Sequence, residues 1–369
     1  MCLTISPRGH IVIFIVIVNI LIHKSFKEVK KYNFEKKILL KNNMKKLNLA
    51  IIGCGNIAKY HIKAFNYLGL KIKHCASKLN STRVNKFARK YNVPNIWKDP
   101  IKLARSSNNW DAIILCSSTK SLSKILDILI KQKKPILVEK PVSIGTSYLK
   151  KFSLSYPKYV NVGFNRRYYN TVAKAKKFIK QSKGQIFCTM KLPESVKRNS
   201  IKLNRFNKIF DNSVHGLDLL RFLFGDLEII YNKKIKLNNF DSGRIVLLKS
   251  KKNHLCNIIF NSNSPDNFSL EIENGSRRFL LKPFENYVIY KGMKIIQPNK
   301  KYPLKSYTPK IIEKNNVFSS LSKNKNLKPG FLEQTEDFLR LISHKKVKKS
   351  ANLQDAFEAQ KLLKKIMLS

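Results

Sequence analysis

Asp211, His215 and Asp218 stand at i, i+4 and i+7, so on a helix they share one face. An imidazole with a carboxylate one turn away suits proton transfer near neutral pH. Oxidising an alcohol needs such a base for the hydroxyl proton while a carrier takes the hydride. A structural reading competes: Asp211 caps the helix, His215 makes a satisfied polar contact, and Asp218 bridges to a lysine. A second candidate is Glu139-Lys140-Pro141, directly after the apolar run Pro135–Val138. A strand there delivers Glu139 and Lys140 as an ion pair to its end, and Pro141 fixes the turn. Lys140 can then hydrogen-bond a hydroxyl and stabilise developing alkoxide charge, with Glu139 positioning it.

These groups need a carrier site beside them, and Leu47–His61 supplies one. The stretch reads as a buried strand through Leu47, Leu49, Ile51 and Ile52, then a tight turn, then a helix. The turn and helix start carry Gly53-Cys54-Gly55-Asn56-Ile57-Ala58, a G-x-G-x-x-A spacing. Gly53 permits the turn, Gly55 lets a pyrophosphate approach the backbone, and Ala58 lets the helix pack on the strand. The helix N-terminus presents free N–H groups to phosphates. From there strand and helix alternate. Lys71–Ser77 is an expected strand, Ser81–Tyr91 a helix capped by Ser81, Trp110–Ser117 a third strand and Leu122–Lys131 a helix. Ser117 opens a polar loop where the strand ends should form the cofactor crevice. The second strand ends in Ser77-Lys78 instead of the carboxylate that binds a ribose 2′-hydroxyl. A hydroxyl beside a cation suits a 2′-phosphate, so NADP is favoured over NAD.

The chain has 369 residues and a net charge of +51, from 73 Lys plus Arg against 22 Asp plus Glu. Such charge can signal nucleic acid or an anionic membrane. Here the basic residues are mostly Lys and are spread along the chain, with no basic stripe and no zinc-ligand spacing. The expectation is therefore no specific nucleic acid, no membrane and no metal. The cysteines, Cys2, Cys54, Cys75, Cys116, Cys188 and Cys256, are scattered and read as buried thiols of a reducing, cytoplasmic compartment. Ile11–Ile22 is an apolar run too short for an ordinary transmembrane helix, and no small-residue cleavage site follows it. Residues 1–43 are read as an extension outside the fold, with a membrane-surface anchor as the second choice. The folded part is expected to begin near Met44.

Four motifs in order resemble one family. They are Gly53-x-Gly55-x-x-Ala58-x-x-His61, Glu139-Lys140-Pro141, Gly163-Phe164-Asn165-Arg166-Arg167-Tyr168, and Asp211-x-x-x-His215-x-x-Asp218. Together they resemble the Gfo/Idh/MocA (glucose–fructose oxidoreductase / inositol dehydrogenase) family. The resemblance runs from Met44 to the C-terminus. It implies an α/β chain: an N-terminal Rossmann domain, a doubly wound parallel sheet, over 44–164. An α+β domain with a mostly antiparallel open sheet follows over 165–369, forming the substrate wall and often an oligomer interface. It implies His215 as acid/base, Lys140 as its partner at the substrate oxygen and Asp211 as helper. For the cofactor it implies Gly53, Gly55, Asn56, Ile57, Ser77, Lys78, Ser117, Glu139, Lys140 and Arg167. Asp218 is read as structural.

In the second half, helices are expected at Thr171–Lys180, Asp211–Phe224, Gly330–Ser343 and Leu353–Met367. Strands are expected at Gln185–Leu192 and in several short runs from Glu228 to Tyr290. The Lys-rich stretch from Asn299 to Lys328 reads as loop. Two functional classes compete: an NAD(P)-dependent oxidoreductase acting on a sugar, inositol, sugar nucleotide or related polyol, and a non-catalytic nucleotide-binding sensor or scaffold. The joint presence of Lys140, Asp211 and His215 favours the enzyme, as a homo-oligomer.

Overall fold

The computed structural model describes residues 46–78, 81–152, 154–194, 202–236, 242–300, 303–315 and 327–368. The extension expected over 1–43 lies outside them, as do the side chains of 202–211. Six parallel strands form the first sheet: β1 (Leu49–Ile52), β2 (Ile72–Ala76), β3 (Asn95–Trp97), β4 (Ala112–Leu115), β5 (Ile136–Val138) and β6 (Val160–Val162). Their order is β3-β2-β1-β4-β5-β6. The order reverses between β1 and β4, which opens a crevice above the carboxyl ends of the strands. β1, β4 and β5 are apolar throughout and wholly buried, as strands covered on both faces must be. The covering helices are α1 (Ala58–Tyr67), α2 (Thr82–Tyr91), α3 (Pro100–Arg105), α4 (Thr119–Lys131) and α5 (Ser147–Lys150). Ser81 caps α2 as expected, its Oγ accepting from Arg83 N.

β3 and α3 went unforeseen, so the strand expected as third is the fourth. β3 is three residues long at the sheet edge, with Asn95 and Ile96 exposed. Nothing that short carries a readable period.

The second half holds α6 (Asn170–Gln181), β7 (Phe187–Glu194), α7 (Lys202–Phe224) and seven strands. These are β8 (Leu227–Lys236), β9 (Ser242–Ser250), β10 (Leu255–Ser262), β11 (Ser269–Glu273), β12 (Arg277–Leu281), β13 (Tyr287–Ile296) and β14 (Ser306–Lys314). The sheet runs β14-β13-β12-β11-β7-β10-β9-β8, and only the β7–β10 pair is parallel. β14 corrects the expected loop over 299–328. It is an exposed edge strand containing Pro309 and two lysines, and edges tolerate a residue without an N–H. Its solvent exposure removes the apolar alternation that would have marked it. Lys291-Gly292 also does not end a strand. Gly292, at φ 66°, sits in an irregularity between Tyr290 and Met293, and β13 continues through it.

The chain then returns to the first sheet. α8 (Phe331–Ile342) lays Phe331 and Phe338 against His61 and Phe65 of α1. Ala351 bridges to Val162 of β6, and α9 (Leu353–Leu368) follows. α9 starts with a reciprocal cap: Asp355 N donates to Asn352 Oδ1 at 2.9 Å, and Asn352 N to Asp355 Oδ2 at 3.0 Å.

Candidate active site

The turn after β1 is tied to both neighbouring strands. Gly53 N donates to Ala76 O at 2.8 Å, and Cys116 N to Ile52 O at 2.7 Å. Gly53 has φ +101°, and a Cβ on it would lie 2.4 Å from the Cys116 carbonyl oxygen. That places Gly53, Ser77 and Ser117 on adjoining strand ends. Lys78 is exposed beside Ser77. Gly55 faces open space, with nothing within 4 Å of a built Cβ. The start of α1 has no side-chain cap and no acidic residue in its first turn. These features fit a dinucleotide: an approachable backbone and a helix terminus whose N–H groups remain to an anion. Asn56 and Ile57 complete that turn. Gly53→Ala is expected to cost about 1–3 kcal/mol for the forbidden φ alone. Chemical denaturation should report that loss, and NADH titration a weaker Kd.

Glu139 ends β5, with its N–H on Leu115 O. Its carboxylate is buried and meets His61 Nε2 of α1 at 2.6 Å. The sequence reads this acid as the group that positions Lys140; the fold also gives it a hydrogen bond to a histidine 78 positions earlier. Gly163 makes the room. A Cβ there would fall 2.9 Å from Glu139 Oε1. Lys140 follows at the crevice edge, joined to Pro141 by a cis peptide.

His215 lies on α7, as does Asp211, whose side chain is outside the described residues. α7 approaches β7 closely at Gly216, where a Cβ would come within 2.6 Å of Leu192 Cδ2. The imidazole is 7 % exposed and packs edge-on to Phe164 at 5.6 Å. Its Nδ1 is buried without a hydrogen-bond partner. Burial, reinforced by the charges of Lys140, Arg166 and Lys328, holds it well below the usual histidine range. Burial and those charges thus favour the neutral form of the ring. The same influence puts Lys140 and His215 in one electrostatic neighbourhood.

Asp218, one turn on, is structural as expected. Arg167 donates to it twice, Nε at 2.8 Å and Nη2 at 2.5 Å, and reaches Asp355 at 3.4 Å. Burial alone would lower the Arg167 guanidinium, but the two carboxylates outweigh it and raise it. Burial lifts Asp218 above the ordinary carboxylate range even beside that cation. Arg167, expected among the cofactor residues, has its guanidinium committed to these carboxylates inside the protein.

Sequence reasoning missed two groups. Arg166 lies over Phe268 and Phe284, at 4.5 and 5.1 Å, with Nη1 buried and unpartnered. Its only signal was the doubled arginine. Glu194 ends β7 and is 3 % exposed. Nothing in the sequence separated it from other strand-end acids.

Residues 47–153 match the model of the Gfo/Idh/MocA oxidoreductase family, described as having an NAD-binding Rossmann fold. Over that segment the chain is similar to that family. The chain is 26 % identical over 189 residues to the myo-inositol 2-dehydrogenase of Thermotoga maritima, covering 49 % of this chain and 55 % of that one. It thus spans about half the length of this curated relative. Its fold is that of a dehydrogenase from Clostridium difficile, with a TM-score of 0.65 and 20 % identity over 88 % of this chain and 99 % of the other. An oxidoreductase from Agrobacterium radiobacter, solved with NAD+, L-tartaric acid and magnesium, superposes with a TM-score of 0.63. It is 14 % identical, with 86 % and 94 % of the two chains covered.

Proposed function

We propose that this protein is an NAD(P)-dependent oxidoreductase. It moves a hydride between a nicotinamide cofactor and a hydroxyl-bearing carbon of a sugar, inositol, sugar nucleotide or related polyol. The observation that carries the reading is the neutral, buried His215 within reach of the Lys140 charge, beside the crevice built by Gly53 and Gly55. The neutral imidazole accepts the proton of a substrate hydroxyl. Lys140 stabilises the negative charge that develops on the same oxygen, and Asp211 assists the proton's departure. The bound nicotinamide supplies the hydride acceptor. Gly53, Gly55, Asn56, Ile57, Ser77, Lys78 and Ser117 hold the cofactor, and Glu139 fixes the strand end that carries Lys140. Exposed Met293, Ile295, Tyr307 and Ile311 on β13 and β14 support a homo-oligomer. Among the described residues, five buried free thiols support a reducing, cytoplasmic setting.

The test is a fluorescence titration with NADH and NADPH, followed by turnover on myo-inositol, other polyols and UDP-N-acetylglucosamine. Tight cofactor binding with no turnover on any of them overturns the reading. The Ser77-Lys78 end of β2 favours NADP(H). Lys78→Asp should shift preference toward NAD(H), and equal wild-type affinities for the two would sink the preference.

A further inference from the structure

Glu194 is a buried carboxyl that the mechanism above does not use. It closes β7 at the level where α7 crosses. Both of its oxygens are held by α7, just before His215. Ser213 Oγ donates to Oε1, and Asn212 Nδ2 to Oε2 at 3.2 Å. Its backbone carbonyl accepts from Asn263 N at 2.7 Å, which fixes it to the end of β10. The cations facing it come from two other elements, Lys140 after β5 and Arg166 after β6. His215 answers to the same two cations, with Lys328 as a third. On α7 itself, Asp211 has a side chain outside the described residues. Glu194 is thus the acid that joins the His215 helix to the substrate-side cations.

We propose that Glu194 is a positioning residue of this active site. Its ionised carboxylate anchors α7 through Ser213 and Asn212 and balances Lys140 and Arg166, so that a neutral polyol hydroxyl can sit between Lys140 and His215. The inference rests on the oxidoreductase reading.

The chemistry follows from the two states of the group. As a carboxylate it accepts from both Ser213 and Asn212. Once protonated, it no longer offsets Lys140 and Arg166, and its new O–H reverses the contact with Ser213, whose hydroxyl must then accept. Burial raises Glu194 from its ordinary 4.5 to about 7, against the opposing pull of Ser213, Asn212, Arg166 and Lys140. His215 lies well below this range. The acid limb near pH 7 therefore belongs to Glu194.

The experiment compares full-length wild type, Glu194→Gln and Glu194→Asp between pH 5.5 and 8.5. Two measurements are made: KM and kcat for whichever of myo-inositol and UDP-N-acetylglucosamine is turned over, and the midpoint of thermal unfolding. Wild-type kcat/KM should fall about tenfold per pH unit below 7, as for a single ionisation, mainly through KM. Glu194→Gln should lose that limb and stay about tenfold low at pH 8, while Glu194→Asp should retain a limb.

The unfolding arm needs no substrate. A carboxyl raised in the folded state stabilises below its unfolded value of 4.5 and loses that contribution as pH rises through about 7. Wild type should lose stability relative to Glu194→Gln over that window. A Glu194→Gln variant with the wild-type KM–pH profile overturns the proposal, as do unfolding midpoints that run parallel with pH. If neither probe is turned over while NADH binds, the oxidoreductase reading fails and the positioning role falls with it. A stability difference that persists in that case identifies the fault as the activity, not the titration of Glu194.

Discussion

Replacing His215 with alanine, or Lys140 with methionine, is expected to cut turnover by about two orders of magnitude or more, the scale of a lost general acid–base group. The two variants should fail for different reasons. His215→Ala removes the proton acceptor and leaves the β1–α1 turn untouched, so NADH affinity should persist. Its loss should fall on kcat, because the missing interaction belongs to the transition state. Lys140→Met removes positive charge next to His215, one of the influences holding the imidazole low. Lys140 also holds Glu194 down, so the acid limb assigned to that carboxyl should move upward in whatever activity Lys140→Met retains. Steady-state kinetics across pH, with fluorescence titration of NADH, read both effects. Wild-type turnover by His215→Ala on the true substrate would refute the mechanism.

Arg167→Met should produce the largest loss of stability, about 3–5 kcal/mol, the cost of leaving a buried charge without its partner. Asp218 is 2 % exposed and receives two hydrogen bonds from Arg167. Without them it must take up a proton or draw in water. The same guanidinium reaches Asp355, so the start of α9 is disturbed as well. Urea unfolding gives the difference directly. A companion Arg167→Met/Asp218→Leu double variant should recover much of the loss, since an apolar pair leaves no orphaned charge. A loss in Arg167→Met below about 1 kcal/mol, the level of an exposed pair, would contradict the reading of this contact.

The nucleotide-binding half was legible because its cues are local. β1, β4 and β5 are short apolar runs, and the G-x-G-x-x-A turn lies between a strand and a helix. The Ser81 cap and the start of α9 at Leu353 were legible for the same reason. β14 was not, because an exposed edge strand lacks the apolar alternation that marks a half-buried one. Lys140 and His215 were singled out by residue type and spacing only together with their context and the four-motif resemblance. The partner of Glu139 was not. His61 is distant in sequence, and only the fold brings α1 over the end of β5. Glu194 and Arg166 were hidden for a related reason. Their importance lies in burial and in neighbours from other elements, which no local pattern carries.

The return of the C-terminal helices bears on the order in which the chain can assemble. Phe65 on α1 is covered by Phe338, and β6 meets its bridge partner only at Ala351. During synthesis the nucleotide-binding half leaves the ribosome long before those residues exist. Its α1 flank stays uncovered until the last helices arrive. Contacts of such sequence separation carry a loop-closure cost that slows folding. The final docking of α8 and α9 is therefore the event that shields the nascent chain, and the interval before it is when aggregation competes most strongly.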